Sequence, residues 1–109
     1  MEEELPAYWR LISVLFSSFP LTPALAHRLY RSAYELYRSD GGVAALDGDR
    51  DLILSGELRN LNQQVTLGTF AGPAFEAHVE TERGQGIVRF VVTHQGIELM
   101  AEQSGRAAN

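Results

Sequence analysis

A chain of 109 residues with 45% apolar and 21% charged side chains is one domain that can bury a core without disulfide or metal staples, and its balance excludes a disordered polypeptide. The net charge of −5, set against nine basic residues that are all Arg, argues against nucleic acid as a partner and leaves no Lys for Schiff-base or phosphate-loop chemistry. Without a single Cys there is no thiolate nucleophile, zinc–thiolate site or disulfide.

Glu2, Glu3 and Glu4 stand just before Pro6, which complements a helix dipole and sets proline in a first turn. A helix is therefore expected over about 5–19. On a wheel Leu5, Tyr8, Trp9, Leu11, Ile12, Leu15, Phe16 and Phe19 cover more than half the circumference, leaving Arg10, Ser13 and Ser17 as a polar strip. The apolar segment from Leu11 to Leu21 followed by Pro23 to His27 has the outline of a secretory leader, but the acidic opening lacks the positive start that leaders need. Its longest apolar stretch, Leu11 to Phe16, falls short of the roughly 20 residues that cross a bilayer. A cytoplasmic protein with no membrane role is expected.

Thr22-Pro23 reads as a helix restart, a hydroxyl N-cap followed by proline at the first helical position. A second helix should run over about 23–39 and stop at Asp40-Gly41-Gly42. Leu25, Leu29, Ala33 and Leu36 make an aliphatic strip on it, and Tyr30, Tyr34 and Tyr37 an adjacent aromatic one. With Arg31 and Arg38 beside them, the tyrosines resemble the composition of a partner-binding surface.

Next come Asp47, Asp49 and Asp51 at alternate positions. A helix–loop–helix calcium site would need glycine at the sixth place and a bidentate Glu at the twelfth; counted from Asp47, these places hold Leu52 and Leu58. Asp47-Gly48 reads better as a turn that opens a strand.

From Asp51 onward apolar residues alternate, which predicts a sheet. Strands are expected at about Leu52 to Leu58 and Gln64 to Phe70, joined through Asn60 to Gln63 and leaving through Ala71 to Pro73, and then in two hairpins. With Glu82 to Gln85 as the first hairpin loop, Thr81 pairs with Gly86, and Phe75, Ala77 and Val79 meet Val92, Phe90 and Val88 on an apolar face. Glu76, His78 and Glu80 take the other face, with His78 opposite Arg89. With Gln95-Gly96 as the next turn, Val92 pairs with Leu99 and Arg89 with Glu102. Ile87, Val91 and Met100 then gather on the polar face inside a rim of Arg89, Glu98 and Glu102, the composition of a protein contact. His78 between two glutamates could pass for a tuned base, but an open sheet face lacks the concave, water-excluding setting that catalysis needs.

The expected fold is α+β: an N-terminal helical hairpin (about 5–19 and 23–39) packed on a five-stranded antiparallel β-meander (about 51–102), with a short polar tail from about 103. The expected function is that of a small acidic, non-enzymatic interaction module of the regulator, adaptor or inhibitor kind. Its partner is a protein, in the simplest form a second copy making a homodimer. The interface would use Ile87, Arg89, Val91, Met100, Tyr30, Tyr34, Tyr37, Arg31 and Arg38. No catalytic residue, cofactor or metal is expected. One alternative is a ligand-binding domain with an apolar pocket between helices and sheet, lined by Trp9, Tyr8, Phe75 or Phe90; another is an enzyme using His78 or the Asp47, Asp49 and Asp51 cluster.

Overall fold

The computed structural model describes residues 7–15, 18–46 and 52–99, and excludes the side chains of Val14 and Leu15. Five strands form one antiparallel sheet in the order β1-β5-β4-β3-β2: β1 (Trp9–Leu15), β2 (Val43–Ala45), β3 (Ser55–Leu67), β4 (Phe70–Thr81) and β5 (Gly84–Val92). One long helix, α1 (Pro23–Arg38), and a short one, α2 over 94–99, accompany them. The fold is mostly β, and the expected N-terminal helical hairpin is not formed.

Its supposed first helix is an edge strand. Trp, Ile, Val and Leu dominate the segment, and β-branched and aromatic side chains fit a pleated surface. Trp9 pairs with Val92 and Leu11 with Phe90, but a bulge at Ile12 then sets Ser13 opposite Arg89. That extra residue breaks the two-residue alternation, so the apolar positions spread round a helical wheel although Trp9–Leu15 is a strand.

α1 forms where its cap signal lies. The Thr22 hydroxyl accepts from Leu25 N–H at 3.2 Å, Pro23 opens the helix, and Asp40 takes the left-handed conformation beyond it, with φ 56°. Leu25, Leu29, Ala33 and Leu36 are buried, as the aliphatic strip requires.

The last expected strand is α2 instead. Thr93 is its cap: the hydroxyl accepts from Gly96 N–H at 3.1 Å, and the carbonyl accepts from Ile97 N–H at 3.2 Å. Gly96 is there for close approach. A Cβ on it would overlap the Tyr8 Cβ and stand 2.8 Å from the Tyr30 hydroxyl.

The hairpin between β4 and β5 is tighter than expected. Thr81 pairs with Gly84 around Glu82-Arg83, and Phe75, Ala77 and Val79 face Phe90, Val88 and Gly86. This is a slip of two residues from the expected register, and because strand side chains alternate with period two the core face is unchanged. β3 continues through Asn60 to Gln63 as an irregularity in one long strand, and Ala71-Gly72-Pro73 lies inside β4.

The core sits between α1 and one face of the sheet. Leu29 and Ala33 meet a layer that includes Leu58, Phe75, Ala77, Val88 and Phe90, with Leu46, Ile53 and Ile97 closing its margins. Phe90 stands at the centre, with ring centroids 5.4 Å from Trp9 and 5.7 Å from Phe75. Such pairs contribute about 0.5–1.5 kcal/mol each beyond the area they bury.

Candidate functional site

The sheet face turned away from α1 carries cross-strand rows of polar side chains. Ser55, Glu80 and Gln85 make one, Glu57, His78 and Ile87 the next, and Arg59, Glu76 and Arg89 a third. His78 thus faces Ile87, and the partner of Arg89 is Glu76. Glu76 is the hub: one carboxylate oxygen lies 2.7 Å from His78 Nε2, and the other accepts from Arg89 Nε at 2.7 Å. The hydrogen bond from His78, then that from Arg89, holds the Glu76 carboxyl below its ordinary range, outweighing the opposing effect of desolvation. Arg59 is occupied by Glu57, at 2.7 Å on the same strand. Beside these rows lies an open hollow of about 420 Å³ lined by Ser55, His78, Glu80 and Ile87 among others. Glu80 accepts from the Ser55 hydroxyl at 3.1 Å, and His78 reaches a carboxylate already shared with Arg89.

The residues expected to form an interface are distributed differently. Ile87 is half-buried and Arg89 exposed, while Met100 and Glu102 lie outside the described residues. Val91 does not point outward to solvent: it is 0% exposed, between Arg10 of β1 and Ala74 of β4. The reason is the strand that sequence periodicity missed. With β1 beside β5, Val91 has a neighbour on both sides, and Arg10 bends over this face with its guanidinium 4.8 Å from the Phe70 ring centroid.

The tyrosine strip also divides. Tyr34 belongs to the core at 5% exposure, and the half-buried Tyr30 donates its hydroxyl hydrogen to the Gly96 carbonyl at 3.1 Å, burial raising its pKa. Tyr37 remains exposed, its ring edge-on to His94. Arg31, Arg38 and His27 lie on the exposed side of α1.

Asp47, Asp49 and Asp51 fall outside the described residues. Among the described residues no three His, Asp or Glu side chains converge as metal ligands would, and no helix is long and apolar enough to cross a membrane.

What periodicity missed is β1 as a sheet edge. Among the described residues it has a strand on one side only, and Leu11 and Ile12 are 41% and 38% exposed. The opposite edge, β2, is only three residues long. Comparisons with protein-family models, with curated proteins and with solved structures find no match to this chain.

Proposed function

We propose that this chain is a protein-interaction module that works through the open edge of β1, with a second copy of itself as partner. The observation that carries the reading is a seven-residue apolar edge strand with adjacent exposed Leu11 and Ile12. Edge strands are ordinarily blunted by charge, proline or shortness. β2 is short, whereas β1 has Arg10 as its one charge, and that side chain is drawn toward Phe70 and the carbonyls of Ala7 and Trp9.

Two β1 strands running antiparallel about a two-fold axis at Ile12 would set Leu11 opposite Ser13 and Arg10 opposite Val14 of the other copy. No like charges meet in that register, and the bulge at Ile12 restricts the pairing to few alternatives. An interior ligand site has less support, since Trp9, Phe75 and Phe90 pack on one another in the space it would need.

Size-exclusion chromatography with light scattering tests the reading. We expect twice the chain mass for the wild type and the chain mass for Ile12→Arg, with unchanged circular dichroism. A wild type that stays monomeric at every concentration would reject it.

A further inference from the structure

A second concavity, remote in character from the charged rows, lies where the C-terminal end of α1 meets the irregular part of β3. It is an open hollow of about 470 Å³ lined by Tyr37, Asp40, Asn60, Asn62, Gln63, Gln64 and Pro73. We propose that this cleft is a binding site for a neutral saccharide.

The chemistry of the lining selects that class. Four of the lining residues carry side-chain amides, and each amide presents a donor and an acceptor on one planar fork, which matches hydroxyl groups that donate and accept at once. Among the described residues the Asn62 and Gln63 side chains have no hydrogen-bond partner. The other two amides are held in place by one atom each. Asn60 Oδ1 accepts from Asn62 N–H at 2.9 Å, and Gln64 Oε1 lies 3.0 Å from His94 Nε2. Their NH₂ groups are left to point elsewhere.

One exposed ring completes the wall. Tyr37 is 37% exposed and edge-on to His94, with centroids 6.3 Å apart, which steadies the ring without covering it. The ring supplies apolar surface for the C–H face of a sugar ring, while Pro73, buried in β4, only backs the wall.

Other ligand classes fit less well. Among the described residues no cationic one lines the cleft and Asp40 is acidic, so phosphate or carboxylate ligands meet repulsion and no counter-charge there. An extended peptide adding to the sheet would need main-chain partners. Here the Asn62 N–H is already engaged by Asn60, and Pro73 has no N–H to offer.

The test is saturation-transfer NMR with maltose, cellobiose, lactose and N,N′-diacetylchitobiose at millimolar concentration, with ¹⁵N spectra of the side-chain amides. We expect transfer to at least one disaccharide and shifts of the Asn62 and Gln63 amide signals. Tyr37→Ala and Asn62→Gly should each abolish the transfer. The second variant keeps a residue at ease with the positive φ of 55° at this position, so it stands as the decisive one should Tyr37→Ala perturb the fold. The proposal is overturned by absence of transfer from all four sugars, by transfer that survives Asn62→Gly, or by amide shifts with trialanine and none with sugar.

Discussion

At Gly72 the backbone of β4 passes so near β5 that an added Cβ would overlap the carbonyl oxygen of Val92 and stand 2.9 Å from the Cα of Thr93. Both neighbours are main-chain atoms, one in β5 and one at the cap of α2, and they cannot swing aside as a side chain would. Gly72→Ala should therefore destabilise the fold by about 1–3 kcal/mol, the usual range for overpacking. Gly42, with no atom within 4 Å of the corresponding position, supplies the control: the urea midpoint should fall for Gly72→Ala and stay nearly fixed for Gly42→Ala. In sequence, Ala71-Gly72-Pro73 has the composition of a turn. Composition reports a need for glycine but not whether the cause is a positive φ or a close approach, and the same ambiguity concealed the role of Gly96.

Secondary-structure elements differ in how plainly they are written. α1 was legible because its cap is local: Thr22 and Pro23 specify the start and the spacing of leucines specifies the buried side. Thr22→Ala removes the acceptor for Leu25 N–H and should cost about 1 kcal/mol, read as a thermal midpoint several degrees lower; Thr22→Ser should restore most of it. β1 was not legible, since its bulge displaces the alternation and its partner strand lies at the far end of the chain. α2 was hidden for a different reason, its cap Thr93 being followed by a Gln-Gly pair that has the form of a hairpin turn. The β4–β5 hairpin was half legible. Alternation fixed which residues face the core, but nothing in the residues themselves distinguished a two-residue turn from a four-residue one.

For the molecule as a whole, the ion-pair hub couples stability to pH. Glu76 binds its proton less readily in the folded state than the ordinary glutamate, whose pKa is 4.5. The unfolded chain therefore takes up more protons as acid is added, and stability falls with pH. The contribution is present above the ordinary value and lost as pH drops through the lowered one. Glu76→Gln should flatten this dependence: urea midpoints of wild type and variant should converge as the pH falls below the ordinary glutamate value, and parallel curves would remove Glu76 as the cause. The charged rows themselves could be read from sequence as one face, but the pairing of Glu76 with Arg89 could not, because it depends on the two-residue slip of the hairpin.

The pairing of β1 with β5 also has a consequence in time. Trp9 meets Val92, so β1 leaves the ribosome well before β5 and waits for it before it can be hydrogen-bonded in the sheet. At about 5–20 residues per second, this nascent apolar segment passes several seconds without its partner. Contacts so distant along the chain also slow refolding, which makes the unpaired Trp9–Leu15 segment a point at which a growing chain is open to capture by a chaperone or to premature association.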